Sequence, residues 1–135
     1  MAIGKISEEI RSAQDYLLEG ATVPQNTTLT GVARQTGGTQ SSLEIVAIAE
    51  TDIVITDLKI ITVSLTGSDT EDGTFVALVD LYTATAAGAT TIDAGTELGR
   101  YVPKHSDPMW IKAVIVTDDV AIVGTATSYI RNISR

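Results

Sequence analysis

Three groups of residues have the types and spacing for chemistry. The first is the loop GSDTEDG, which brings Asp69, Glu71 and Asp72 into one short turn. Several carboxylate oxygens are what a hard cation such as Ca²⁺ requires. Gly73, however, falls one position early for a calcium-binding loop, and the flanks read as strands rather than helices. The loop is read as a solvated acidic turn, with no metal residue assigned. The second group is His105, the sole histidine, with Ser106 and Asp107 beside it. Chain neighbours rarely form a triad, because the base must reach both nucleophile and orienter in space. The glycines of a serine nucleophile elbow are also missing. The third group is aromatic. Trp110 with Tyr101, Tyr82 or Tyr129 would make a sugar-stacking platform; the favoured reading is that Trp110 opens a core strand and packs inside or at an edge.

What is missing narrows the field further. There is no GxxxxGK[ST], and no GxGxxG precedes a helix, so Gly37-Gly38 is a turn and not a phosphate cradle. Acids are plentiful, but they stand in turns, where solvated carboxylates are usual, and general acid–base work by a carboxylate pair has little support. Without cysteine there is no disulfide, thiolate metal site or cysteine nucleophile. No catalytic, cofactor-binding or metal residue is therefore expected, and the protein reads as no enzyme. A net charge of −8 would be repelled by a phosphate backbone, and the basic residues never cluster. No nucleic-acid partner is expected. The first twenty residues are interrupted by charges before any apolar core forms, unlike a signal peptide. No apolar run approaches the ~20 residues of a membrane helix. A soluble protein made in a cytoplasm is the expectation.

The elements that must position these residues are mostly strands. The chain has 135 residues, the size of one domain. Hydrophobic residues make up 44% but aromatic ones only 4%, so the core must be aliphatic. Thr is the commonest residue, and with Ile and Val it favours a pleated surface over a helix. One helix is predicted. Ile3, Ile6, Ile10, Ala13 and Leu17 lie at spacings of three and four, Ser7 is a plausible N-cap, Glu8 and Glu9 complement the dipole, and Gly20 is a stop. This N-terminal segment, residues 1–20, either covers one end of the core or is an arm that docks on a neighbouring subunit. Residues 21–135 form the β domain.

Within it, a first strand is predicted from Thr27 to Arg34, with Leu29 inward, followed by a turn from Gln35 to Ser42. The organising stretch runs from Leu43 to Leu81. It holds a strand over residues 43–49, a long run from Ile53 to Thr66 bent or split near Asp57, and a nearly continuous apolar run from Phe75 to Tyr82 that suggests cover on both faces. Short strands follow around Thr90 to Ile92 and Leu98 to Val102. A loop from Pro103 to Pro108 comes next, then a strong strand from Trp110 to Thr117. Asp118-Asp119 reads as a tight turn and Val120 to Ile130 as the return of a hairpin, with Gly124 at a bulge or close approach. About eight strands with no helix between them indicate an antiparallel sandwich or barrel.

This order resembles that of small jelly-roll cement, or decoration, proteins of tailed-phage capsids. The likeness runs from about Leu43 to Ile130. It is carried by SLEIVAIAETDIVITDLKIITVSLTGSDTEDGTF, the small-residue connection TATAAGATTIDAGTELGRYVP, and the closing PMWIKAVIVTDD and AIVGTATSYI. The resemblance implies an antiparallel jelly-roll-like sandwich and a non-enzymatic protein without cofactor. It implies a homotrimer on the outer surface of a virion, made in the host cytoplasm, that binds the major capsid protein and bridges neighbouring capsomers. It names no functional residues. The candidate contact elements are Ile3 to Leu18, Gln35 to Ser42 and Pro103 to Pro108. The alternative is a carbohydrate-binding or receptor-binding β-sandwich module of a virion, with Trp110 exposed.

Overall fold

The computed structural model describes residues 16–36 and 43–132. The described residues form β1 (Tyr16–Thr22), β2 (Thr28–Thr30), β3 (Arg34–Gln35), β4 (Leu43–Ala49), β5 (Ile53–Ile55) and β6 (Ile60–Ser68). The later strands are β7 (Val76–Thr85), β8 (Thr90–Ile92), β9 (Glu97–Tyr101), β10 (Trp110–Thr117) and β11 (Thr125–Asn132). One sheet has the order β1-β11-β4-β9; the facing sheet has the order β2-β10-β6-β7, with β3 also pairing with β10. A small β5-β8 pair stands apart. All the pairings are antiparallel, so the expected all-β sandwich is the fold.

Alternation along β6 and β10 builds the centre of the core. Ile61, Val63 and Leu65 on β6 face inward with Ile111, Ala113 and Ile115 on β10, all at most 1% exposed. Ile45, Ala47 and Ala49 on β4 belong to the same cluster, as do Leu17 and Leu18 on β1. Each large aliphatic side chain so buried contributes roughly 1.5–3 kcal/mol. The run expected to bend near Asp57 does split there, into β5 and β6. Gly124 is a close approach, as its position suggested. It has φ +127°, and a Cβ there would lie 2.6 Å from the Asp52 carbonyl oxygen and 2.8 Å from Ile53 Cα.

Three expectations are corrected. The helix predicted to reach Gly20 is not present over residues 16–20, which lie in β1 across the expected boundary between arm and domain; its earlier part, Ile3 to Ala13, lies outside the described residues. The reason is tertiary pairing. β1 zips onto β11 with Tyr16 opposite Tyr129, and register shifts let Leu17 and Leu18 both turn into the core. The spacing that mimicked a helix at Leu17 is overridden by that edge. Second, β10 and β11 are not a hairpin: β10 pairs with β2, β3 and β6, and β11 with β1 and β4 in the opposite sheet. Alternation alone does not tell a hairpin from a crossover between facing sheets, and residues 118–124 are long enough for the ~10 Å step. Third, β7 is not covered on both faces. No residue along it is fully buried, and Val76 is 61% exposed.

Candidate interaction surface

The antiparallel frame fixes two ends. The 68–75 and 102–109 loops and the exit from β3 lie at one end, because Trp110 pairs with Ser68 on one side and Gln35 on the other. Thr36 N–H donates to the Met109 carbonyl (2.8 Å), and Pro108 packs so closely on Gly67 that a Cβ there would meet its Cγ at 2.9 Å. Two of the expected contact elements therefore converge with the acidic loop; of the first of these, Gln35 and Thr36 are described and residues 37–42, including Gly37-Gly38, lie outside the described range. Val76, Val102 and Met109 add exposed apolar surface here, each above 40% exposed. Lys112 Nζ stands 4.3 Å from the centre of the Phe75 ring, a cation–π contact that ties β10 to the loop entering β7.

The residues singled out for chemistry do not assemble into a reactive constellation. Asp69, Glu71 and Asp72 are exposed, and the turn is held by Thr70 N–H donating to Ser68 Oγ (3.2 Å). No cluster suited to a metal ion occurs among the described residues. His105 and Ser106 are exposed, while Asp107 turns away to accept from the Tyr101 hydroxyl (2.6 Å) and the Lys104 N–H (2.7 Å). Burial, together with the Asp107 carboxylate that accepts its hydrogen bond, pushes the Tyr101 hydroxyl up to about 12. This pair is a loop clamp. The aromatic residues divide among faces: Tyr82 and Tyr101 pack against the core, Tyr129 stands opposite Val46 on the outer side of one sheet, and Trp110 stands beside Ser68 and Gln35 on the other.

The opposite end is closed by aspartates. Asp119 is fully buried; its carboxylate accepts from Thr56 N–H and Thr56 Oγ1 (both 2.8 Å) and from Ala121 N–H (2.9 Å). Burial alone would raise its pKa, but the hydrogen bonds from Thr56 and Ala121 and the nearby Lys59 outweigh it and hold the carboxyl below its ordinary value. Asp118 Oδ1 takes Ile60 N–H (2.8 Å), Asp57 Oδ1 takes Gly88 N–H (2.7 Å) and Asp52 Oδ1 takes Ala94 N–H (2.8 Å). Leu58 stands out here, 72% exposed and at φ +65°, a strained conformation for a leucine.

Sequence reading missed the buried Asp119 knot and also an ion-pair row across β9, β4 and β11. Glu44, 7% exposed, meets Arg131 (2.7 Å) and Arg100 (3.4 Å), and Arg100 also grips Glu97. The Arg100 guanidinium holds the Glu97 carboxyl below its usual range. The partners are far apart along the chain; the only signal was a charge at an outward position of an otherwise apolar strand. No protein-family model matches the chain, and no curated protein matches its sequence.

Proposed function

We propose that the protein is a non-enzymatic capsid cement protein, which binds the outer shell of a phage head as a homotrimer and bridges neighbouring capsomers through the major capsid protein. The observation that carries this reading is the strand order. The first and last main strands are adjacent in β1-β11-β4-β9, and β2-β10-β6-β7 faces it; this order of the eight main strands supports the jelly-roll reading that the resemblance implied. The end that gathers Trp110, Met109 and the acidic loop is the surface offered to the shell.

The physics is that of linkage. A protein that binds only where capsomers meet stabilises the assembled shell by mass action, about 2.7 kcal/mol per site at a hundredfold excess over Kd. A trimer presents the same contact three times and gains avidity without any new contact. The test has two arms. Light scattering behind a sizing column is expected to give three times the 14.2 kDa of one chain. Added to purified undecorated capsids, the protein is expected to raise the temperature at which the shell opens. A shell whose thermal transition does not move at saturating protein overturns the proposal.

A further inference from the structure

We propose that the outer face of the β1-β11-β4-β9 sheet is a docking surface for the chain's own residues 1–15. The starting observation is Val46. It is 1% exposed, yet it lies outside the hydrophobic cluster between the sheets, to which its neighbours Ile45 and Ala47 belong. Alternation along a strand turns Val46 to the opposite, outer side. Two more residues on that side are buried, Glu44 at 7% and Thr127 at 3%; they pair with Arg131 and Ile48 on the same face.

The facing sheet is the control. Its central strands are β10 and β6, and their outward residues Val114, Thr62 and Ser64 stay partly exposed, with Val116 42% exposed. A central position in a sheet therefore does not by itself bury an outward side chain in this protein. Every described strand is accounted for in a sheet, and the small β5-β8 pair sends Ile53, Ile55 and Ile92 into the core cluster. Tyr129 and Arg100 flank Val46 in register on this face, but no described strand is left to lie over it.

Residues 1–15 fit the position. Of the segments outside the described range, 37–42 reads GGTQSS and 133–135 reads ISR, neither with an apolar row, whereas residues 1–15 carry Ile3, Ile6, Ile10 and Ala13. The attachment point is close. Tyr16 opens β1 opposite Tyr129, and Tyr129 is opposite Val46. Two strand spacings, about 10 Å, separate them. At even the compact rise of a helix, fifteen residues reach roughly 22 Å, enough to cross β11 and β4. This inference stands whether or not the cement reading holds. It removes one sheet face from those available to a partner.

The absence of cysteine makes the test clean. Full-length Ile10→Cys, labelled with benzophenone maleimide and illuminated, is digested and its cross-links are mapped by mass spectrometry, using a mixture of isotopically light and heavy chains. Cross-links to residues 43–49 and 125–131 within one chain are expected. The reciprocal variant Ile48→Cys, labelled in the same way, is expected to cross-link to residues 1–15, and it supplies the test should the first variant fold poorly. Light–heavy hybrid cross-links, cross-links confined to the β2-β10-β6-β7 sheet, or no protein cross-link from either position overturns the proposal.

Discussion

At one end of the sandwich Asp52, Asp57, Asp118 and Asp119 each accept a backbone N–H from a loop or a strand end, whereas at the other Asp69, Glu71 and Asp72 stand exposed in a turn and carry no such bond among the described residues. The same residue type thus does two jobs. Carboxylates that accept several N–H groups are folding elements, since each replaces water for a donor that the loop leaves unpaired. Carboxylates left in water keep their full field for a partner. The closed end fixes the ends of β5, β6, β8 and β10 relative to one another. The open end can then present loops and exposed apolar side chains without carrying the stability of the fold.

The largest effect that would break this contrast is at Asp119. Asp119→Ala leaves the N–H groups of Thr56 and Ala121 and the Thr56 hydroxyl without their acceptor. A loss of about 3 kcal/mol is expected, read as a lower urea midpoint at unchanged slope. A loss below about 1 kcal/mol would mean the knot is dispensable. Gly124→Ala at the same end is expected to cost about 2–3 kcal/mol, from a left-handed backbone and the contact with Asp52 and Ile53; full stability in that variant would show that the 118–124 crossover can yield.

Protonation tests the same knot without mutation. The folded-state pKa of Asp119 lies below its ordinary 3.8. The unfolded chain therefore binds more protons in that window, and stability rises with pH across it. The contribution is complete above the unfolded value and is lost as pH falls through the folded one. Urea midpoints measured from pH 5 downward are expected to fall more steeply for the native chain than for Asp119→Asn. Parallel curves would remove Asp119 as the titrating group.

How much of this was legible in the sequence depends on whether the signal was local. The bounds of β4, β8 and β10 followed from alternation and from turn residues at their ends, and the break at Asp57 separated two runs that one strand would not hold. Leu29 and the aliphatic core followed from composition and period. What failed was pairing. Leu17 satisfied a helical period and a strand edge equally well, and only contact with β11 decided between them. Phe75 to Tyr82 looked covered because its residues are apolar, but apolarity does not say whether anything packs on a face, and β7 has no fully buried residue. Asp119 was legible as a turn residue and illegible as a buried knot, because its acceptor role depends on Thr56, far away in the chain. The Glu44 row with Arg100 and Arg131 was hidden for the same reason.

At the open end a smaller effect is expected. Tyr101→Phe removes the bond to Asp107 that clamps the 103–108 loop. The loss should be about 1 kcal/mol, since Lys104 N–H still donates to Asp107. Ultraviolet titration of the native chain should show one tyrosine ionising near 12, absent in the variant. The sign is opposite to that of Asp119. A raised folded pKa for this acid gives stability that is present below the ordinary 10 and is lost as pH rises toward 12.

The smallest effect sharpens the contrast most. Changing Asp69→Asn, Glu71→Gln and Asp72→Asn together removes three charges from an exposed turn whose backbone is held by Ser68 and Thr70. Stability should stay within about 0.5 kcal/mol, because no described hydrogen bond or ion pair is lost. If the open end faces the shell, the same variant should instead change the salt dependence of capsid binding, since charges on a contact surface act through the screened field between partners. A stability loss as large as that of Asp119→Ala would show that the acidic turn also belongs to the fold, and the division of labour between the two ends would fail.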